Sequence, residues 1–551
     1  MTRNMNLATD TRANSLHNVA SLLASVAAQT PDKPALIFRQ AGRDESISFG
    51  RLWAAAGAFG NGLLSAGFRP RERAIIMIPM SIDLYVALLA VIKIGGVAVF
   101  VDPWISTQRI ARFAAFAEPT AFIGIGKSQL LRLFHQRLRR IKISVTNGRK
   151  FAGIPARFTL QQLCRLTPDP TVAAVQPSDS ALITFTSGSS GEPKGANRTH
   201  QFLMAQHQAL STEFPYQESD VDLPMFPVFA LNNLVTGLTS VIPDMDFRSV
   251  DRIDGLAIAE QIVRHGVTTV TASPPLIDRV APFVQQLGES FVLRRILTGG
   301  APVTDSQLAH WQQHFPKTEL IVAYGSTEAE PVGHIDATQR LALAGLGKGY
   351  CTGRPSRLIQ TKIVEITRPP MDLSSRRLED CYLPIGEIGE LLVSGLHVCR
   401  DYFQNAAATA ENKLFDAAGQ LWHRMGDTGY FDQFGRFWLV GRVHSTIRRR
   451  GVWVHPQLIE QMVGDSIVEL DQVAAVGMPD AEMGECVVVV AVIEASIAKK
   501  LDPQTLKSTI DSLLRKAGLP CDRVEVTHNK LPVDPRHRSK IDYAEVRKLI
   551  S

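Results

Sequence analysis

Over residues 1–440, short β-branched and apolar runs alternate with stretches of helical periodicity. That alternation restricts the chain to layered α/β architectures. Ala74–Ile78, Thr120–Gly124, Ala181–Phe185, Thr268–Ala272, Arg295–Thr298 and Glu319–Val322 read as strands, and Phe49–Ala66 and Leu256–His265 as helices. The longest apolar run, Leu84–Val101, is interrupted by Lys93, Gly95 and Gly96. It reads as a buried helix over Asp83–Lys93, a turn, and a strand over Val97–Val101, because a membrane span needs a longer and cleaner run. After Phe437–Val440 the pattern changes. Gly441–Arg450 is polar and basic, and Leu458–Val463, Val473–Gly477, Cys486–Ile493 and Pro503–Lys516 then alternate as helix, strand, strand and helix. The expectation is an α/β fold with a large, layered, multi-lobed N-terminal domain over 1–440 and a small α+β C-terminal domain over 441–551. No internal repeat is visible.

Composition narrows the function classes. A chain of 551 residues with 45% hydrophobic and 20% charged residues can bury large cores and is not a disordered polyelectrolyte. The surplus of 59 Lys and Arg over 53 Asp and Glu gives a net charge of +6, too small to require nucleic acid. The six cysteines form no C-x-x-C pair and none has a His at zinc-ligand spacing, which fits free thiols in a reducing compartment. Met1–Asp10 is polar and charged where a secretory leader would be apolar, so a cytoplasmic protein is expected.

The sharpest local signal is Thr186-Ser-Gly-Ser-Ser-Gly-Glu-Pro-Lys-Gly195, entered directly from the apolar strand Ala181–Phe185. Gly188, Gly191 and Gly195 let the backbone approach a ligand closely. Its amides, with the hydroxyls of Thr186, Ser187, Ser189 and Ser190, can cradle phosphate oxygens, and Lys194 adds positive charge. The spacing is not that of a Walker A loop. A flexible Gly/Ser connector would need neither the buried strand before it nor Pro-Lys-Gly after it.

This decapeptide resembles the phosphate loop of the adenylate-forming superfamily, which contains acyl-CoA synthetases, adenylation domains and luciferases. Further motifs follow in that superfamily's order: Tyr324-Gly-Ser-Thr-Glu328, Trp422-His-Arg-Met-Gly-Asp427 with Met425 where Thr is usual, Gly441-Arg442, and Leu531-Pro-Val-Asp-Pro-Arg-His-Arg-Ser-Lys540. The resemblance implies a mobile C-terminal lid carrying the lysine loop, and a two-step activation of a carboxylic acid by ATP. Bringing a carboxylate to ATP joins two anions, so cations and donors must offset the repulsion. Lys540, Glu328 and Thr186 are the implied catalytic residues. Lys540 would bridge the carboxylate and the α-phosphate, Glu328 would hold Mg²⁺, and Thr327 would bond the α-phosphate. Thr186, Ser187, Gly188, Ser189, Ser190, Gly191 and Lys194 would hold the phosphates. Tyr324, Gly325 and Ser326 on one side and Gly300, Ala301 and Pro302 on the other would enclose adenine. Asp427 would accept from the ribose hydroxyls and Arg442 would donate to them.

A narrower resemblance, to the β-lactone synthetases of bacterial olefin biosynthesis and related fatty-acid ligases, rests on Phe122-Ile-Gly-Ile125, Phe226-Pro-Val-Phe-Ala-Leu231, Leu238-Thr-Ser-Val-Ile-Pro-Asp-Met-Asp246, His423-Arg-Met-Gly-Asp427 and Pro532-Val-Asp-Pro-Arg-His537. It implies an apolar, long-chain acid in a tunnel lined by Phe226, Val228, Phe229, Pro274, Leu276 and Val332. The acyl-adenylate would pass to coenzyme A or another thiol acceptor, or close on its own 3-hydroxyl to a β-lactone. An acyl-carrier or pathway-enzyme partner is compatible with either. Besides Met425, the chain departs from the superfamily at four further places: Ala230 at the tunnel gate, Val443-His444-Ser445 at the hinge, Trp453 where a basic residue is usual, and Ser539 before Lys540. The resemblance implies that they fall on the face that swings in to admit coenzyme A or a carrier arm, so they bear on thioester formation more than on adenylation.

Rival readings are weaker. Gly349-Tyr-Cys-Thr-Gly353 matches a nucleophile-elbow spacing, but the preceding Leu341–Lys348 does not read as the strand an elbow requires. Gly345-Leu-Gly-Lys-Gly349 lacks dinucleotide spacing. A degenerate, non-catalytic binder is disfavoured because Lys540 and Glu328 are both present. Finally, Leu130–Ile143 reads as a helix with Leu130, Phe134, Leu138 and Ile141 on one face and Arg132, Arg137, Arg139, Arg140 and Lys142 elsewhere. Such a helix faces either a core or, as a weak peripheral contact, an anionic membrane.

Overall fold

The computed structural model describes residues 17–40, 42–101, 107–148, 156–187, 193–368, 371–467, 469–493, 502–533 and 541–551. Among them, three sheets organise the chain. The first strands to form a parallel layer are Phe158–Thr159, Ile143–Asn147, Ala121–Ile125, Arg73–Met77, Val97–Phe100 and Ser180–Ser187, in that spatial order, closed by the antiparallel Pro193–Thr199. Their near-continuous apolar character follows from helices covering the faces. The helix Ile82–Lys93, capped by Ser81, is buried along most of its length, which explains why the apolar run at 84–101 carries so little amphipathic signal.

A second, larger sheet has two halves. Arg295–Thr298 lies between Thr269–Ala272 and Glu319–Ser326, all parallel, and the layer continues outward through Val221–Pro224 and Thr239–Val241. From Glu319–Ser326 the sheet turns antiparallel through Ala329–Asp336, Tyr350–Pro355, Phe437–Arg442, Leu421–Phe431 and Gly389–Ser394 to Gln360–Val364. The third sheet, with Ile447–Arg449, Val452–Val454, Leu470–Asp480, Gly484–Ile493 and Arg523–Thr527, packs the helices Pro456–Ser466 and Pro503–Lys516 over its own core of Ile447, Ile459, Val487, Val489, Ile510 and Leu514. The strand Phe437–Arg442 runs through Gly441 within the second sheet, so the chain changes sheets between Arg442 and Ile447, a few residues beyond the sequence boundary at Gly441.

Two sequence expectations change. Leu130–Ile143 is not one helix. Gly126–Phe134 ends at His135, whose backbone is extended, and a short turn of helix, Gln136–Arg139, precedes the strand Ile143–Asn147. The break is held by Arg132, which is buried. It donates to Gln129 Oε1 at 3.1 Å and to the Ile141 carbonyl at 3.2 Å, so a charge assigned to the polar face instead satisfies turn carbonyls. Leu130, Leu133 and Phe134 are left exposed. Cys351 lies inside the strand Tyr350–Pro355, buried, with its thiol pushed up by that burial. No elbow presents it.

Candidate active site

Thr269–Ala272, Arg295–Thr298 and Glu319–Ser326 deliver Ser273, Gly299–Pro302 and Ser326–Glu328 to one edge of the second sheet. The carboxyl edge of parallel strands is where open sheets bind ligands. Gly300 adopts φ +76°, open to glycine at little cost, and a Cβ there would stand 3.6 Å from Phe226 Cζ. Gly299 is pressed so closely on the next strand that a Cβ would meet the Ala323 carbonyl oxygen at 2.6 Å. Gly299 therefore brings the start of the Gly300-Ala301-Pro302 segment close beside the strand Glu319–Ser326, which carries Tyr324.

That strand reverses at Thr327-Glu328, where the Glu328 amide donates to Ser326 Oγ at 3.3 Å. Tyr324 donates its hydroxyl to Asp427 Oδ2 at 2.6 Å, and Arg442 Nη1 meets Asp427 Oδ1 at 2.6 Å. Asp427 and Arg442 are register partners on neighbouring strands, so the pair is placed by the sheet itself. Burial, reinforced by the Asp427 charge, holds the Tyr324 phenol well above its ordinary range, so it remains a donor. Each Asp427 oxygen has one protein donor and keeps a lone pair for a further hydroxyl. His423 and Arg424 of the same motif point into the structure. Arg424 makes a buried, forked pair with Glu390, with contacts of 2.6–3.1 Å, and fixes the strand that carries Asp427.

Glu328 Oε1 accepts from the Tyr402 hydroxyl at 2.9 Å, and the Glu328 carbonyl accepts from the Cys399 amide at 2.8 Å. Two ammonium groups stand near the Tyr402 ring: Lys194 Nζ at 5.7 Å and Lys413 Nζ at 5.5 Å from its centroid. Lys413 is buried and donates to the Cys399 carbonyl. Burial brings it down to about 8, against the pull of Cys399, Glu328 and Asp401. Lys194 pairs with Glu411 at 3.2 Å. The backbone of Thr186 is paired with Lys194, and that of Ser187 with Pro193, so both ends of the glycine-rich segment meet beside this cationic cluster. Gly188, Ser189, Ser190, Gly191 and Lys540 lie outside the described residues.

The six residues assigned to the acyl tunnel are not gathered on one wall. Leu276 belongs to the core under the parallel strands, with Ile258, Ile277 and Val280. Pro274 opens its helix. Val332 packs behind Tyr324 with Phe437 and Met425, and Phe229 lies against Leu210, Phe214 and Leu297. Phe226, 6.0 Å from the Phe229 ring, faces Gly300. Val228 alone of the six lines a narrow apolar cleft of about 30 Å³ between four helical segments, with Leu89, Ile92, Leu203, Leu231 and Val235. Ala230 is buried on the helix Pro227–Thr236. Neither nearby aspartate is free to bind an ammonium. Asp222 is buried and bonded by Thr269 Oγ1 at 2.7 Å and Asn233 Nδ2 at 2.8 Å, and Asp244 pairs with Arg39 at 3.4 Å.

Sequence reasoning missed Tyr402, Lys413, Arg198 and Glu330. Tyr402 stands 74 positions beyond Glu328, and no local pattern marks that contact. Arg198 could have been found as a second cation, four residues after Lys194, in a strand otherwise built of small and polar residues.

Three sheets in this order, with a Tyr–Asp–Arg cluster and a glutamate at the parallel-strand edge, are the layout of an adenylate-forming enzyme. Residues 23–403 match the AMP-binding enzyme family, and the chain belongs to it. It is an AMP-forming ligase or synthetase that uses ATP. The olefin β-lactone synthetase of Xanthomonas campestris pv. campestris is 31% identical over 564 residues, covering 96% of this chain and 97% of that one. The 4-coumarate–CoA ligase-like 4 of Oryza sativa subsp. japonica is 28% identical over 459 residues, covering 80% of this chain and 77% of its own. ATP-bound MatB from Rhodopseudomonas palustris superposes with a TM-score of 0.77 at 20% identity, over 96% of this chain and 98% of that chain, which shows the shared fold.

Proposed function

We propose that the enzyme activates an apolar, long-chain carboxylic acid as its acyl-adenylate, and that the acyl group then leaves AMP by closing on a hydroxyl of its own chain. The observation that carries this reading is the link between the cleft and the glutamate edge. Gln206 lines the cleft, and its Nε2 donates to the carbonyl of Glu330, two residues past Glu328. An acid with its carboxyl at Thr327-Glu328 would have this apolar cleft within reach, and the four helices around it would have to part to admit the alkyl chain.

In the first step a carboxylate oxygen attacks the α-phosphorus and the bond to pyrophosphate breaks. Thr186, Ser187, Gly188, Ser189, Ser190, Gly191 and Lys194 hold the phosphates, Thr327 bonds the α-phosphate, and Lys540, carried by a lid pivoting between Arg442 and Ile447, offsets the charge of the two anions. Tyr324, Gly325 and Ser326, facing Gly300, Ala301 and Pro302, enclose adenine. Asp427 and Arg442 hold the ribose. The half-buried Glu328 carboxylate, oriented by Tyr402, keeps one oxygen free of protein donors among the described residues and would hold a Mg²⁺, which would supply positive charge to offset that of the departing pyrophosphate. In the second step the hydroxyl oxygen bonds to the acyl carbon, the bond to AMP breaks, and the hydroxyl proton is released.

Transfer to coenzyme A or another thiol is the second reading, supported by the CoA-ligase-like relative. Trp453 weighs against it: where a basic residue is usual, the Arg448 guanidinium lies 4.6 Å over the indole ring. Mass spectrometry of products formed from ATP, Mg²⁺ and either a plain or a 2-alkyl-3-hydroxy fatty acid, with and without coenzyme A, separates the readings. A lactone without coenzyme A supports closure, and a thioester formed only with coenzyme A overturns it.

A cytoplasmic enzyme handling such an acid gains from a weak contact with lipid. Among the described residues no helix is long and apolar enough to cross a membrane. The chain has no Asp or Glu between Pro119 and Pro168, and there Leu130, Leu133 and Phe134 are exposed beside exposed Lys127, Arg137, Arg139, Arg140 and Lys142. An apolar tip in a basic field fits the surface of an anionic bilayer.

A further inference from the structure

Two charged residues beside the reacting edge have no assigned work. Glu330 is half-buried and its carboxylate has no hydrogen-bond donor among the described residues, yet its oxygens are not sealed in. It stands against the Y-G-S-T-E turn: a Cβ on Gly325 would lie 3.3 Å from both Cα and Cβ of Glu330. Arg198 is 2% exposed, and its Nη2 donates to the Thr327 carbonyl at 2.9 Å. Its Nε and Nη1 reach no acceptor among the described residues. Leaving buried donors idle is costly, and a charge pair that does not close leaves both partners short of contacts.

The position of the pair is informative. Arg198 backs Thr327, where the α-phosphate and the reacting carboxyl would meet. Glu330 adjoins Gly325 and, through its carbonyl, Gln206, which lines the apolar cleft. An unfilled acceptor and buried, unfilled donors therefore stand next to the residues that join the reacting edge to the apolar cleft, and a ligand group reaches the Arg198 donors only by displacing what now covers them. We propose that Glu330 and Arg198 form a subsite for a hydroxyl group carried close to the carboxyl of the acid. This rests on the long-chain acid reading above.

The chemistry selects that group. A hydroxyl donates to the carboxylate and accepts from the guanidinium at once. An ammonium would satisfy Glu330 but be repelled by Arg198, and a second carboxylate would meet the reverse. A plain methylene leaves both unmet, which is how a polar site rejects an analogue that lacks its polar group. Glu330 and Arg198 are thus specificity-determining residues, distinct from the groups that bind ATP.

The test compares acid-dependent pyrophosphate release with 3-hydroxydodecanoic and dodecanoic acid. Wild-type enzyme should favour the hydroxy acid in kcat/KM by about 10-fold or more. Glu330→Leu should bring that ratio close to one, with the loss falling on the hydroxy acid and KM for ATP unmoved. Glu330→Gln, which keeps an acceptor, should recover part of the preference. Equal use of both acids by wild type, or an intact preference in Glu330→Leu, overturns the subsite alone. Pyrophosphate release with neither acid overturns the long-chain reading and the subsite with it.

Discussion

Tyr402 is the residue on which the glutamate edge most depends. Its hydroxyl is the one protein donor to the Glu328 side chain among the described residues, and its ring stands close to Lys194 and Lys413. Tyr402→Phe keeps the ring and removes only the donor. Losing one hydrogen bond to a charged group costs about 1.5 kcal/mol, so pyrophosphate release should slow about 10-fold. The Mg²⁺ concentration needed for half-maximal rate should rise, while KM for ATP, set largely by Asp427 and the adenine walls, stays near its wild-type value. A magnesium titration checks this, and an unchanged curve contradicts the role given to Tyr402. The local motif was readable because Tyr324 through Glu328 are consecutive. Tyr402 was not, because its partner is fixed by a β-bridge to Ala196 and by the packing of a distant loop. The same limit hid Glu330 and Arg198, whose meaning depends on what they fail to bond.

Elements were more legible than contacts between them. Arg295–Thr298 and Pro503–Lys516 have the ends their sequences predict, since each is a strongly patterned run with clear punctuation. Leu130–Ile143 failed as one helix because helical periodicity alone does not show that Arg132 turns inward to hold the break at His135. Of the apolar face assigned to a core or a membrane, Leu138 and Ile141 enter the core, while the break leaves Phe134 76% exposed at the end of the first helix. Replacing Arg137, Arg139 and Arg140 with Glu should abolish co-sedimentation with phosphatidylserine-containing liposomes at low salt, each basic residue contributing about 1 kcal/mol near such a surface. Activity on a short, soluble acid should be unaffected. Wild-type protein that never co-sediments at low salt would contradict the contact.

At the scale of the molecule, the division into a large α/β part and a small α+β part was legible from the change of periodicity after Val440. The tunnel lining was less so: Phe226 packs against the core that holds Leu276, whereas Val332 and Phe229 belong to two other clusters, because the sequence does not say which layer a residue enters. The small part also carries a pH signature. Glu460 accepts from the Ala475 amide and from Tyr543 Oη, both at 2.9 Å, joining three of its elements. Burial raises it to about 7. A carboxyl raised in the folded state binds its proton more tightly there than when unfolded, so its contribution is full below about pH 4.5 and is lost as pH rises through 7. Glu460→Gln removes that loss. Its Tm relative to wild type should climb between pH 5 and pH 8, by an amount corresponding to on the order of 2 kcal/mol. A Tm difference independent of pH would contradict the buried, protonated state of Glu460.

The central claim, that an acid is activated on ATP by a lysine delivered from the C-terminal part, is tested most directly by pyrophosphate release. Wild-type enzyme with ATP, Mg²⁺ and a long-chain acid should release pyrophosphate only when the acid is present, with acyl-AMP or its product appearing in step. Lys540→Ala should lower that release about 10²–10³-fold, as expected for removal of one key electrostatic donor, while binding ATP as wild type does. Release that ignores the acid, or a Lys540→Ala enzyme that keeps the wild-type rate, would contradict it.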